Sequence, residues 1–167
     1  MIVFNAATLI LLAKSELLEG FLESVRQQVA IPKEVERECS GARKSPDALL
    51  IQKAVSEKKI KVVAIRNQRL CEKIQGDFPL ARGEAEAVAL AVSEKAGLVA
   101  IDDKQGIKAC KLLRIPFTTA IDIPIRMREK GLIKWEEALI KLETLQRYGR
   151  YKARILEDAR LRLEGSR

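Results

Sequence analysis

Histidine is absent from this 167-residue chain. Its absence removes histidine-assisted nucleophile triads, the common zinc sites and imidazole general bases in one step. Any catalysis must rest on carboxylates, lysines, hydroxyls or metals held by oxygen. Cysteine is scarce as well. Cys39, Cys71 and Cys110 are odd in number and widely spaced, match no zinc pattern, and read as small buried thiols kept reduced in the cytoplasm. The longest apolar run, residues 6–13, is interrupted by Thr8 and is far too short to span a bilayer. No basic stretch precedes the apolar residues at the N-terminus, so no secretory signal is expected there. No repeat, linker or low-complexity segment interrupts the chain.

With 47% apolar and 32% charged residues, the chain is neither disordered nor membrane-like and is long enough to bury a substantial core. The net charge of +8 is unevenly spread. Residues 42–75 carry nine Lys/Arg against three Asp/Glu, and residues 126–167 carry twelve against seven. The remaining segments, 1–41 and 76–125, balance at −3. An acidic centre with basic flanks suits a metal-dependent enzyme acting on a polyanion. A well-solvated Lys/Glu-rich surface explains the same numbers equally well.

Short β-type runs alternate with helical periodicity along the chain. Strands are expected at Ile2-Val3-Phe4, Val29-Ala30-Ile31, residues 60–65, residues 98–101 and about 116–119. Between them the apolar spacing predicts helices from Ala7, from a Ser15 cap, from Pro32, over 47–58 and 67–75, from Gly83, and over 104–113. A helix opening at Asp122 should stop at Gly131, and Gly97 should stop the Gly83 helix. From Lys134 the chain is helical, with Trp135, Leu139, Leu142 and Leu145 on one face, and a basic amphipathic helix follows Gly149. This alternation predicts an α/β fold: a three-layer α/β/α sandwich around a mainly parallel sheet. The expected division is a core domain over 1–135 and a helical extension over 136–167, packed on that domain or on a partner subunit.

Two segments carry the chemistry. Gly83-Glu84-Ala85-Glu86-Ala87 opens a helix with two carboxylates, and Leu98-Val99-Ala100-Ile101 ends abruptly in Asp102-Asp103. A strand buried on both faces reads as a continuous apolar run, and ligands of open α/β sheets bind outside the carboxyl ends of the strands. With Asn5 after the first strand and Glu38 after the second, the candidate ligands are Asn5, Glu38, Glu84, Glu86, Asp102 and Asp103. Each has a plainer reading: acids favour first helical turns, Asp caps helices, and Glu38 lies among surface glutamates. Magnesium and manganese favour oxygen donors and keep several waters, so this composition suits them.

The combination resembles the PIN-domain nucleases, the family of the VapC toxins. The opening Ile-Val-Phe-Asn-Ala-Ala-Thr-Leu-Ile-Leu-Leu-Ala-Lys resembles the first strand and helix of that family. Ile31-Pro32 with Val35 and Glu38 is similar to its second motif, and Gly83–Ala87 and Ile101-Asp102-Asp103 resemble its third and fourth. The resemblance covers roughly residues 1–135. It implies a Mg²⁺- or Mn²⁺-dependent endoribonuclease, with an acidic set of position 5, Glu38, Glu84 and the Asp102/Asp103 pair. Asp103 is then the favoured metal ligand and Asp102 its supporting neighbour; Thr8 and Glu86 stand behind the ligands. Arg43, Lys44, Arg66 and Arg69 would line an RNA path. The family usually supplies aspartate where this chain has Asn5, whose amide oxygen can bind a metal but adds no charge.

With one Trp, two Tyr and four Phe there is little material for stacking bases, so phosphate contacts should dominate RNA binding. The resemblance further implies a homodimer and a possible antitoxin partner. The competing reading is a catalytically weak or inactive module that binds RNA or a protein, with Asn5 marking the loss. A phospho-acceptor receiver needs a later aspartate at a strand end, and Asp122 and Asp158 are poorly placed. A haloacid-dehalogenase phosphatase needs Asp-x-Asp-x-Thr after the first strand, where this chain has Asn5-Ala6-Ala7-Thr8.

Overall fold

The computed structural model describes residues 1–40 and 44–166. In chain order the elements are β1 (Ile2–Phe4), α1 (Ala6–Lys14), α2 (Leu18–Ser24), β2 (Val29–Pro32), α3 (Lys33–Cys39), α4 (Pro46–Ser56), β3 (Ile60–Val63) and α5 (Gln68–Asp77). They continue with α6 (Arg82–Ser93), β4 (Leu98–Ala100), α7 (Lys104–Leu112), β5 (Phe117–Thr118), α8 (Asp122–Glu129), α9 (Trp135–Tyr148) and α10 (Ala153–Glu164). The strands form one sheet in the order β3-β2-β1-β4-β5, and every pairing is parallel. The sandwich is as expected, and its sheet is wholly parallel.

Strand alternation divides the core. Ile2, Phe4, Val29, Ile31 and Ala100 face a cluster built from α1, α3 and α4. Val3, Val99 and Ile101 face the alanine-rich α6 together with α5 and α7. The run Ala85–Ala91 is buried throughout, because small side chains let α6 lie close to the sheet. A third cluster joins Ile121, just before α8, and Ile125 of α8 to Leu142 of α9 and Leu156 and Leu163 of α10. Leu145 of α9 reaches the main core. Cys39, Cys71 and Cys110 are buried free thiols, and no helix among the described residues is long and apolar enough to cross a membrane.

Chain order reverses between β1 and β4. From β1 the chain leaves into α1 on one face, and from β4 into α7 on the other. The carboxyl ends of these two neighbours therefore open a crevice, the place where α/β sheets bind ligands.

Two helix-end expectations are corrected. Ser15 does not cap α2: its hydroxyl donates to Leu11 O (2.8 Å) and Leu12 O (3.3 Å) at the end of α1, and α2 starts without a side-chain cap. Gly97 does not stop α6 either. The stop is Lys95 at φ 49°, with Lys95 N–H donating to Val92 O and Ala96 N–H to Ala91 O. This is the paired-bond termination usually built on glycine. The same pair closes α1 at Glu16, α4 at Lys58 and α7 at Arg114; among the described residues, left-handed glycine serves this termination at α8, with Gly131 at φ 70°. Gly97 instead begins the approach to β4, its N–H donating to Met1 O.

Candidate active site

Asn5 leaves β1 with extended backbone and caps α1, its Oδ1 accepting from Thr8 N–H at 3.0 Å. Its own N–H donates to Ala100 O, which ties the first strand to the end of β4. Asn5 is 1% exposed, and its Nδ2 is buried without a hydrogen-bond acceptor among the described residues. The Thr8 hydroxyl in turn donates to Asp102 Oδ2 at 2.7 Å. Position 5 and the acidic pair are thus joined through one threonine.

The two adjacent aspartates do different work. Asp102 is held inside: Oδ2 also accepts from Ala120 N–H at 2.9 Å, and Oδ1 accepts from the Tyr151 phenol at 2.8 Å. Burial pushes the Asp102 carboxyl up, against the pull of these three donors. Asp103 caps α7, with Oδ2 accepting from Gln105 N–H (2.7 Å) and Gly106 N–H (2.8 Å). No hydrogen bond from the described residues engages its Oδ1.

Across from Asp103 lies the first turn of α6. Glu84 Oε2 accepts from Ala81 N–H at 3.0 Å, while burial, the Asp103 charge and the Glu38 charge push its carboxyl up. Glu38, on α3, accepts from the Gly83 N–H, and burial together with Glu34 and Glu86 pushes its carboxyl up too. The fit at Gly83 is close: a Cβ there would lie 2.5 Å from Glu38 Oε1. Glu86 points into the α3 side, accepting from Arg82 Nε (3.2 Å) and from Glu34 N–H (3.4 Å).

The fold therefore gathers Glu38, Glu84 and Asp103 within electrostatic reach, and separately links Asn5, Thr8 and Asp102 by hydrogen bonds. Glu86 borders the first group. Arg66 follows β3 at the carboxyl end of the sheet, and Arg69 lies in the first turn of α5; both are exposed, as is Lys44 before α4. Arg43 lies outside the described residues. Tyr151 and Ala120 belong to the site, yet nothing in their sequence neighbourhoods marks them; Gly83 lies in a segment that the sequence does mark, but its contact with Glu38 has no local signal. The family model described as a PIN domain, DUF3368, matches residues 1–165.

The chain is a PIN-domain protein.

No curated protein and no solved structure matches it. PIN domains are in general nucleases that act on nucleic acid with divalent metal ions. In this PIN domain, no three acidic or cysteine side chains among the described residues close around one point as a metal cage would. The donor set nonetheless fits a hydrated divalent cation. It consists of carboxylate oxygens, the charges of Asp103 and Glu38 both bear on Glu84, and magnesium keeps several waters and so needs few protein ligands. Asn5 fits less well, because its carbonyl oxygen already serves as a cap and its free group is a donor.

Proposed function

We propose that this PIN domain is a Mg²⁺- or Mn²⁺-dependent endoribonuclease whose metal is held by Glu38, Glu84 and Asp103. The observation that supports this reading is that Glu84, in the first turn of α6, feels the charges of both Asp103 before α7 and Glu38 on α3, in a chain that belongs to the PIN-domain family. Burial first, and then the charges of Asp103 and Glu38, push the Glu84 carboxyl up, as expected of a site completed by a cation. A divalent ion held there would supply Lewis-acid chemistry for phosphodiester hydrolysis. The chain's own part is orientation. Gly83 N–H aims the Glu38 carboxylate, Ala81 N–H aims Glu84, and the start of α7 aims Asp103. Arg66, Arg69 and Lys44 offer exposed cations for phosphate contacts, which set affinity without reading sequence.

One observation favours a second reading, a weak or inactive module that binds RNA or protein: position 5 contributes an amide already committed to capping α1. RNA cleavage with Mn²⁺ by the wild type and by Asp103→Asn separates the two. Asparagine caps helices as well as aspartate does, so the variant keeps α7 while losing the charge. Cleavage abolished by both EDTA and the substitution is expected. Equal cleavage by the two proteins would assign the activity to a contaminant and favour the binding module.

A further inference from the structure

The connection between α9 and α10, four residues from Gly149 to Lys152, reaches back into the cleft. There Tyr151 packs against both the main core and the α8–α10 cluster while its hydroxyl meets Asp102 Oδ1 at 2.8 Å. We propose that Tyr151 is a positioning residue of the acidic site: it fixes the Asp102 carboxylate and, through it, the turn that presents Asp103. The inference rests on the nuclease reading for its catalytic consequence, but its structural content stands on contacts of the metal-free chain.

Three features support it. First, the backbone is shaped for the insertion. A Cβ on Gly149 would lie 2.1 Å from Tyr151 Cε2 and 2.7 Å from Cδ2, so only glycine leaves room for the folded-back ring. Second, the donors to Asp102 come from three distant parts of the chain: Thr8 on α1, Ala120 before α8, and Tyr151. A partly buried carboxylate so surrounded is held in one orientation, and removing a donor leaves one of its lone pairs unmet. Third, α10 is anchored beside the same network. Arg162 Nη1 bonds Asp122 Oδ1 at 2.6 Å, and Asp122 Oδ2 accepts from Thr119 Oγ1 at 2.8 Å, one residue before Ala120. The C-terminal helices thereby complete the cleft, since they deliver a polar group that nothing in β1, β4 or α7 supplies.

The test is Tyr151→Phe, which removes one oxygen and keeps the ring. Three quantities are read: Mn²⁺ affinity by calorimetry, kcat and KM for RNA, and hydrogen exchange of the Ala120 amide in the metal-free protein. Outer partners of metal ligands typically change affinity or activity by about ten- to a hundredfold. The expected result is at least about a tenfold loss in Mn²⁺ affinity and in kcat, KM little changed, and faster Ala120 exchange. A lowered melting temperature with affinity, kcat and exchange all unchanged would overturn the proposal, because the phenol would then be packing alone. If the wild type neither binds Mn²⁺ nor cuts RNA, the nuclease reading fails separately. Ala120 exchange then decides whether Tyr151 holds Asp102, acceleration supporting it and no change overturning it.

Discussion

Gly83→Ala should separate function from stability in this protein. The added Cβ would fall 2.5 Å from Glu38 Oε1 and 2.9 Å from both Cδ and Oε2. Optimal heavy-atom contacts lie at about 3.5–4.0 Å, so the carboxylate must move by roughly an ångström. A displacement of that size takes the bond from Gly83 N–H to the edge of hydrogen-bonding geometry. Glu38 is a flexible side chain at the cleft, and it can swing towards water. The backbone has no reason to object, because Gly83 lies in the opening turn of a helix, where alanine is preferred by up to about 1 kcal/mol. Loss of a charge-assisted bond, about 1.5–3 kcal/mol, is offset by that preference and by rehydration of a carboxylate that burial disfavours. The net change should stay within about 1 kcal/mol, or roughly 2–4 °C in melting temperature for a chain of this size. Mn²⁺ affinity and RNA cleavage should nevertheless fall about tenfold or more, because the amide that orients a ligand has lost it. Thermal melts, Mn²⁺ calorimetry and cleavage rates on one preparation make the comparison, with Glu38→Gln as the reference. Unchanged affinity and cleavage would refute the reasoning and take Glu38 out of the site.

Three further outcomes follow from the same electrostatics. Glu38 and Glu84 sit above their ordinary value of 4.5 in the folded chain, so the native state takes up protons before the unfolded state does. The metal-free protein should therefore gain stability as pH falls from 7 towards 4.5; Glu38→Gln should flatten that rise in melts at pH 7 and 5, and an equal rise in the variant would exclude Glu38 as its source. Asp122 acts in the opposite window. Burial opposes its ionisation, but Arg162 and Thr119 outweigh it, so its contribution is present above 3.8 and is lost as pH drops below that value. Asn5→Asp should tighten Mn²⁺ binding while lowering the melting temperature of the metal-free protein, since it sets a new carboxylate one threonine away from Asp102. Calorimetry showing unchanged affinity would place position 5 out of reach of the metal.

The division of labour between Asp102 and Asp103 shows how adjacent identical residues diverge. Successive side chains at a strand end point to opposite sides. Asp102 turns inward to Thr8, Ala120 and Tyr151, whereas Asp103 turns to the start of α7 and faces Glu84. The pair can therefore brace and present the same turn.

Much of this was legible in the sequence, for a local reason. Apolar runs such as Val29-Ala30-Ile31 and Leu98-Val99-Ala100 identify strands buried on both faces, and helical spacing identifies α6 and α9, because burial imposes its period on neighbouring residues. Acids placed directly after those strands, Asp102 and Asp103 above all, mark the cleft before any topology is known. The α8 stop at Gly131 was legible, but the helix ends built without glycine were not. Lys95, Lys58, Arg114 and Glu16 adopt left-handed backbone without glycine, because paired backbone bonds and the burial of the next strand outweigh the local steric cost. The strand order and the meeting of Glu38 with Gly83 belong to the tertiary structure. So does the bond from Tyr151 to Asp102, which joins positions 49 residues apart. Contacts of that separation depend on how whole elements stack, and the residues between them hold no record of it. The sequence by itself determined which carboxylates stand at strand ends; only the packed chain decided which of them face a ligand and which hold the frame.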